Sequence, residues 1–450
     1  MLSSVGNIDI FLSLGVAVGL FFVGILFAVI NRVPGQAFTI KVFSLAFILR
    51  MAAAFSIYYS LIAVGGDGFV IADDRAYDKT AHQIDRDLTN NRQGFKEVGE
   101  GYSNIAYFNL NGFVYHYLGF DTMTSRMLNV FFGAIIVLLG YYIMLQLFDI
   151  KLAKIAAVLM AVLPNLIFWS ASQVKDPLIT LCTMSLIYIM VCKFRSGITL
   201  SVVVAYLFFM VLLWFLRKDF CLPLIVVSII WFVFRYTFFA RYFNDPQRSV
   251  FMKMGLMFIL SIPLILGMIS TQSGEELTDT ISKFNEMQRE LSDSNGMSSS
   301  AGFSRYLRVV TPTDFYKLPL AMAFTAIAPL PSFRQVTDPV QYGAVLYSFT
   351  NIPLVLMMPF IFVGFVKFKS ASMEFTDELL IKWLPMLILA SITILYMGVL
   401  RYKTALMPYF MMWAAFGWCH RRRYKAHIEL TYIGTFIGFF IVLSLATMLR

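Results

Sequence analysis

The sequence predicts an all-α protein, a polytopic bundle of membrane-spanning helices with further helices lying on the outer surface of the membrane. Three observations predict this class. Of the 450 residues, 59% are hydrophobic and only 14% are charged, whereas soluble domains carry roughly 25% charged residues. The mean hydropathy is +0.74. Apolar runs of the ~20 residues needed to cross a bilayer recur along almost the whole chain.

About twelve of these runs are predicted to be spans. The first is expected to be a true span, because it is too long for a signal-peptide core and lacks a basic stretch before it and a small-residue cleavage site after it. The predicted spans are 9–30, 39–64, 126–148, 152–169, 177–193, 198–216, 220–240, 251–270, 345–366, 379–399, 402–419 and 428–449.

The basic residues orient the bundle. Clusters such as Lys151 with Lys154 and Lys193 with Arg195 fall on one side under this count, and cytoplasmic loops carry the excess of Lys and Arg. Loops 65–125 and 271–344 therefore face outward. In the second loop, 275–291 suits an amphipathic helix, 293–300 a Ser-rich linker, and the proline-interrupted stretch 318–331 a re-entrant or surface-lying helix.

Four segments follow from this topology. They are an additional N-terminal helix (1–38), a transmembrane core (39–270) that carries the acidic outer loop 65–125, an outer-side loop (271–344), and C-terminal spans (345–450). The topology leaves no room for a large separate soluble domain.

Several function classes are disfavoured. The four cysteines, Cys182, Cys192, Cys221 and Cys419, fall in or beside apolar runs, which is typical of small hydrophobes rather than of disulfides or metal ligands. The four histidines lack metal-ligand spacing, so no built-in zinc site is expected. No glycine-rich phosphate loop with Lys and Ser/Thr is found, which fits a lipid-activated donor better than a nucleotide. No nucleic-acid partner is expected.

The most informative feature is the acidic loop Gly66 to Asp78, which directly follows an apolar run. Its adjacent carboxylates, Asp73 and Asp74, are candidate catalytic residues, since an Asp near apolar surface has the raised basicity needed to deprotonate a hydroxyl. The alternative is an ordinary solvated turn. The pattern does not distinguish the two carboxylates. Tyr77, where a surface helix is expected to start, is a candidate substrate-binding residue.

Further charges lie at the outer ends of spans, against the positive-inside bias. Binding the phosphate of a lipid carrier would explain them, because Arg offers a fork of donors and Lys a compact charge. Alternatives exist: Asp176 followed by Pro177 is typical of a helix N-cap, and Lys175 suits snorkelling. The candidate substrate-binding residues are Lys175, Asp176, Arg217, Lys218, Arg305, Arg334, Arg401 and Lys403.

Six short segments of the chain are 72–81 (ADDRAYDKTA), 104–119, 163–170 (LPNLIFWS), 173–179 (QVKDPLI), 328–331 (APLP) and 401–409 (RYKTALMPY). They resemble segments of the GT-C superfamily of polytopic glycosyltransferases, especially of bacterial relatives of protein O-mannosyltransferases and aminoarabinose transferases. The resemblance covers roughly residues 40–420. The chain departs from the family in having an extra span before the one that precedes the acidic loop, and in lacking a folded soluble domain at 271–344.

The resemblance implies an outward-facing active site. Asp73 or Asp74 would act as base or bind a divalent cation such as Mg or Mn, and basic residues would hold a polyprenyl-phosphate sugar donor. The expected function is sugar transfer to a glycan, lipid or protein acceptor on the outer face of a bacterial inner membrane, in surface polysaccharide or glycolipid assembly.

Two other functions compete with this one. A polysaccharide polymerase or O-antigen ligase acting on a lipid diphosphate would place the essential residues among Arg305, Arg308, Arg334 and Arg401. A lipid-linked sugar transporter or flippase predicts charges in mid-span, of which Arg50 is the main example. A non-catalytic scaffold is the least specific alternative.

Overall fold

The computed structural model describes residues 10–90, 105–119, 121–236, 307, 312–328, 339–369, 373–396 and 400–435. Every regular element within these residues is a helix. The prediction of an all-helical class is therefore confirmed. The predicted span 251–270, the amphipathic segment 275–291 and the Ser-rich segment 293–300 lie outside the described residues.

The described helices group into two units by their contacts, and each is treated by itself. Unit 1 holds most of the chain before Arg217 and two later pieces. Its helices are α1 (Ile10–Ile30), α2 (Gln36–Ala63), α3 (Ala72–Thr89), α4 (Ile105–Leu118), α5 (Thr122–Leu147), α6 (Ile150–Val162), α7 (Pro164–Ser170), α8 (Asp176–Ser196), α9 (Leu200–Leu216), α12 (Pro339–Thr350), α13 (Ile352–Lys367), α15 (Met407–Cys419) and α16 (425–435).

Unit 2 begins at Lys218. Its described elements are α10 (Lys218–Tyr236), a 3-10 turn (Pro312–Lys317), α11 (Leu318–Ile327), a helical turn (Phe375–Glu378) with a π-helix (Leu379–Trp383), α14 (Leu384–Tyr396), and the 3-10 segment Leu400–Leu406 as far as Lys403. The ten-residue α11 falls within the predicted re-entrant stretch and is about half as long as a span. The predicted four-segment division of the chain stays a prediction.

Five helices in the described part are long and apolar enough to cross a membrane, and a bent pair raises the number to six. They coincide with predicted spans 9–30, 39–64, 126–148, 177–193 and 345–366, and the bent pair with 152–169. The prediction of a protein with several membrane-spanning helices is confirmed at this level. The total of about twelve spans stays a prediction.

The centre of unit 1 is formed by α5 and α8. In their most apolar windows 78% and 83% of the residues are buried, against 17% for α1. Since α1 is apolar all round, with a mean hydropathy of 2.7 in that window, its exposed side chains suit a lipid surface. The core is therefore made by helices from the middle of the sequence, with α1 at the periphery.

The bent pair α6 and α7 meets at an angle of 54°. Pro164 begins α7, where its missing N–H is not needed. The side chain of Arg50, fully buried in α2, donates hydrogen bonds to the carbonyl oxygens of Ala161 (3.1 Å) and Met160 (3.0 Å) in the last turn of α6. These are carbonyls that a broken helix would leave unsatisfied. Arg50 therefore stabilises the break that brings α7 toward the site described below.

Candidate functional site

The acidic loop folds back onto the bundle as helix α3. Its buried residues, Asp74, Tyr77, Ala81 and Ile84, recur at intervals of three and four and so form one helix face. The helix starts at Ala72, earlier than the predicted start at Tyr77. Both candidate carboxylates thus lie in the first turn, where the helix dipole favours negative charge.

Asp74 is fully buried at a junction of three segments. Its carboxylate accepts hydrogen bonds from the N–H of Val70 (3.1 Å) and the N–H of Gln173 (2.9 Å), and Nη2 of Arg126 lies 3.5 Å away. The same Nη2 donates to the carbonyl of Gly68 at 2.7 Å. Asp74 therefore joins the start of α3 to the start of α5 and to the turn between α7 and α8.

Burial raises the pKa of Asp74 above its ordinary value, while the charge of Arg126 and the two backbone N–H groups oppose that rise. The positive charge and the two hydrogen-bond donors stabilise the negatively charged carboxylate form of Asp74. Burial is the largest of these effects, so the carboxyl group of Asp74 holds its proton more tightly than that of an exposed Asp does.

A second carboxylate lies one helical turn along α3. Asp78 accepts hydrogen bonds from Oη of Tyr115 (2.5 Å) and Oγ1 of Thr122 (3.0 Å). Tyr115 in turn accepts a hydrogen bond from Nε2 of Gln173 at 2.9 Å. Burial raises the pKa values of both Asp78 and Tyr115, so the phenol stays a neutral donor. Asp74 and Asp78 are thereby linked to the same residue, Gln173.

The turn 171–175 carries the residues that meet α3. Its backbone is held from the other side by Asn129 of α5, whose Nδ2 donates to the carbonyls of Ser172 (2.6 Å) and Val174 (2.8 Å). An apolar cluster that includes Phe168 and Val174 lies at this turn. The turn is therefore a fixed element rather than a surface loop.

The turn also delivers Lys175. This residue follows Gln173 by two positions, so the two Cα atoms are at most about 7 Å apart. Lys175 is 4% exposed, and its Nζ donates to the carbonyl of Leu216 at 3.4 Å. Arg217 follows Leu216 in the chain and is as buried as Lys175. Of the predicted site residues, Asp74, Lys175 and Arg217 are thus brought together at one end of unit 1.

Asp176 is also buried in this region, but it does not cap α8 as the sequence suggested. The N-cap position is Lys175, no side chain caps it, and Pro177 stands in the first turn. Oδ2 of Asp176 has no hydrogen-bond partner among the described residues. The N-cap expectation is corrected because the helix begins one residue earlier than the Asp-Pro pattern suggested.

The remaining candidates occupy different surroundings. Asp73 is partly exposed, and Tyr77 is buried with its ring 4.9 Å from that of Tyr107. Lys403 belongs to unit 2, where it is buried and its Nζ donates to the carbonyls of Ala326 (3.1 Å) and Ala328 at the end of α11. Two further unit 2 residues are Lys218 and Arg401, while Arg305 and Arg334 lie outside the described residues.

Sequence analysis missed several members of this cluster. Arg126 stands at the outer end of a predicted span, so the positive-inside argument applied to the other cations would have found it. Asp78 and Gln173 lie inside quoted segments but were not selected. Asn129 and Tyr115 carry no signal in the sequence, because an isolated amide or phenol in an apolar run is common.

The described part of the chain contains no group of three His, Cys, Asp or Glu side chains placed to hold a metal ion. A divalent cation bound by Asp73 or Asp74 therefore stays a prediction, and a substrate phosphate would have to supply the missing ligands.

Comparison with models of protein families and with curated proteins finds no match to this sequence. The class defined by fold and site is therefore a multi-helix membrane protein with a buried cluster of carboxylates and cations at one end of its bundle.

Proposed function

We propose that the chain is a membrane glycosyltransferase of GT-C type, which transfers a sugar from a polyprenyl-phosphate donor to an acceptor on the outer face of a bacterial inner membrane. The observation that carries the proposal is the cluster of Asp74, Arg126 and Lys175 at the ends of apolar helices. Charges there are costly unless they are paired or used. The ends of membrane-spanning helices are where the phosphate of a lipid carrier would lie.

The cations have a role in this chemistry. Nζ of Lys175 donates to the carbonyl of Leu216, the residue before Arg217, so the two buried cations lie in the same region. During transfer the bond between the sugar and the phosphate breaks, and negative charge grows on the departing phosphate. Lys175 and Arg217 would stabilise that charge.

The two adjacent carboxylates receive different roles. A general base must reach the hydroxyl that it deprotonates, and Asp74 is fully buried with its oxygens occupied by Val70, Gln173 and Arg126. Asp73 precedes it and is partly exposed. We therefore assign the base to Asp73. Asp74 positions it by fixing the first turn of α3.

Polar atoms left over in the cluster support a hydroxyl-rich substrate. Among the described residues, Oε1 of Gln173, Oδ1 of Asn129 and Oδ2 of Asp176 are buried acceptors with no hydrogen-bond partner. Buried polar groups normally have partners. Sugar hydroxyls are donors that would satisfy them.

The experiment compares Asp73→Asn, Asp74→Asn and the control Asp67→Asn, whose carboxylate pairs with exposed Arg75. Surface glycans and polyprenyl-phosphate sugars are extracted from cells and measured by mass spectrometry at matched protein levels. Asp73→Asn is expected to remove one sugar and accumulate its lipid-linked form, with unchanged protein stability. Asp74→Asn is expected to lower both activity and stability.

Full activity of Asp73→Asn would contradict the assignment of Asp73 as the general base. Unchanged glycans and lipid pools in both Asp73→Asn and Asp74→Asn would contradict the proposed transferase function itself. A change in chain length without loss of a sugar would instead indicate the polymerase or ligase. The transporter alternative rested on Arg50, whose contacts with the end of α6 give it a structural role.

A further inference from the structure

A second candidate site lies in unit 1, along α8 from Leu181 to Lys193. A partly open cavity of about 360 Å³ is lined by α1, α5, α8 and α9. Its walls are almost entirely apolar, with Val23, Phe131, Leu139, Ala205 and Phe209 among the lining residues. The volume is within the range of small-molecule sites, roughly 300–1,000 Å³. The cavity is thus large enough for part of a ligand and suited only to an apolar one.

One end of the cavity is polar and positively charged. Lys193 and Ser201 line it there, and Nζ of Lys193 lies 5.4 Å from the ring centre of Tyr188. Oη of Tyr188 donates to Oδ1 of Asn31, which follows the last residue of α1. The cation therefore lies where α1 and α8 end, while the apolar walls continue along both helices.

The helix geometry of α8 changes beside the cavity. Residues Ile189–Lys193 of α8 form a π-helix, and both end residues of that segment line the cavity. π-helical turns inside α-helices occur frequently at functional sites. Lys193 is 17 positions after Asp176, which corresponds to about 25 Å along a helix. The Lys193 end of the cavity therefore lies far from the charged cluster, and none of the described lining residues belongs to that cluster.

We propose that this cavity binds one acyl chain of an anionic phospholipid, with the lipid phosphate held by Lys193. The apolar walls match the acyl chain, and each buried methylene favours binding. Lys193, the one cation among the described residues that line the cavity, selects a negative headgroup, as basic pockets between membrane helices do. Val23 at the rim is 53% exposed, so a lipid can enter sideways from the bilayer. This site is independent of the proposed sugar transfer.

The test uses the full chain in phosphatidylcholine vesicles that contain a small fraction of phosphatidylglycerol with a photoactivatable group on one acyl chain. The matched probe carries the same chain on phosphatidylcholine. After irradiation, labelled peptides are mapped by mass spectrometry. Labelling of the Phe131–Leu139 and Ala205–Phe209 peptides is expected to be about fivefold stronger with the anionic probe, the ratio that one Lys near the surface provides.

Lys193→Gln is expected to reduce anionic labelling to the phosphatidylcholine level, and Lys193→Arg to retain it. Lys151→Gln removes an exposed cation from the same predicted side of the membrane without touching the cavity, so it is expected to change nothing. Ala205→Phe fills the cavity and is expected to lower labelling by both probes.

The proposal is overturned if the two probes label the cavity peptides equally, or if Lys151→Gln and Lys193→Gln have the same effect. Absence of label from these peptides with both probes would also overturn it, since no acyl chain would then enter the cavity. Sugar transfer is measured separately in the Lys193→Gln variant, so that failure of either proposal leaves the other intact.

Discussion

Arg126 and Asp74 form a pair of opposite charges with no exposed surface on either side chain. The guanidinium is also flanked by the rings of Tyr58 and Phe69, at 5.1 and 5.9 Å from their centres. Nη2 of Arg126 bridges two groups, because it contacts both the Gly68 carbonyl and the Asp74 carboxylate. Removing one partner of such a pair leaves the other as an uncompensated buried charge.

Arg126→Met is therefore expected to destabilise the protein by about 3–5 kcal/mol. The matched control is Arg75→Met, which removes an arginine from the exposed ion pair with Asp67. Exposed pairs contribute about 0–1 kcal/mol, so the control is expected to change little. Both are measured as free energies of unfolding in detergent micelles.

Equal destabilisation by Arg126→Met and Arg75→Met would contradict the buried bridge. Combining Arg126→Met with Asp74→Asn adds a second check, because the double variant should lose less than the sum of the two single losses.

Asp78 gives a pH dependence whose sign follows from its burial. Its folded-state pKa is raised, chiefly by desolvation, so the folded protein holds the proton more tightly than the unfolded chain does. Asp78 then contributes stability at low pH that is lost as pH rises from the ordinary Asp pKa toward the raised value. The melting temperature of the wild type minus that of Asp78→Asn is expected to fall across this window. A difference that rises with pH would contradict the assignment.

At the scale of helices, α13 and α15 pack with their backbones in close approach. A Cβ added at Gly364 would collide with the backbone carbonyl of Trp413, and one added at Gly417 with that of Phe360. Small residues allow membrane helices to approach in this way. The contact is therefore set by two glycines, one on each helix, and neither collision can be relieved by turning a flexible side chain.

Gly364→Ala is expected to destabilise the protein by about 1–3 kcal/mol, the usual effect of overpacking. The control is Gly15→Ala in α1, where an added Cβ meets nothing within 4 Å. An Ala at such a position in a helix is expected to be neutral or to stabilise by up to about 1 kcal/mol. Thermal unfolding in detergent distinguishes the two. Equal melting temperatures for both variants would contradict the expectation that close packing of α13 against α15 at Gly364 contributes to stability.

At the scale of the molecule, the ends of the helices alternate between two sides. The end of α2, the starts of α5 and α8, and the end of α9 meet at the charged cluster. At the opposite ends, the Pro34 carbonyl accepts a hydrogen bond from Tyr141, and Asn31 accepts one from Tyr188. This is the alternation that the predicted topology requires of these helices.

The positive-inside bias predicts that the charged cluster faces outward, since Lys193 and Arg195 lie at the other end. In a variant with its four cysteines replaced by Ala, Asn90→Cys is expected to react with a membrane-impermeant maleimide in intact cells. Ser196→Cys is expected to react only after permeabilisation. Both positions are exposed, so burial does not decide the result. The reverse pattern would place the proposed active site in the cytoplasm.

Much of the architecture was predictable because apolar length is a local property. The spans over α1, α2, α5 and α8 follow from runs of about twenty apolar residues. Asp74, Lys175 and Arg217 could be selected because charges stand out in such runs. A charge beside an apolar segment needs a partner or a ligand wherever it occurs, so the sequence identifies it without knowledge of its neighbours.

The identity of those neighbours was decided by the tertiary structure. Asp74 meets Gln173 across 99 residues and Arg126 across 52, and these contacts depend on how α3 rotates and packs against α5 and the turn before α8. The same packing buries Asp74 and leaves Asp73 partly exposed. The sequence could not distinguish these two adjacent residues. The sequence by itself determined the membrane-helix class and the chemical types in the cluster, because both are properties of short segments. The pairing and accessibility of the charged residues required the fold, because helix rotation and packing are set by all of the contacting surfaces together.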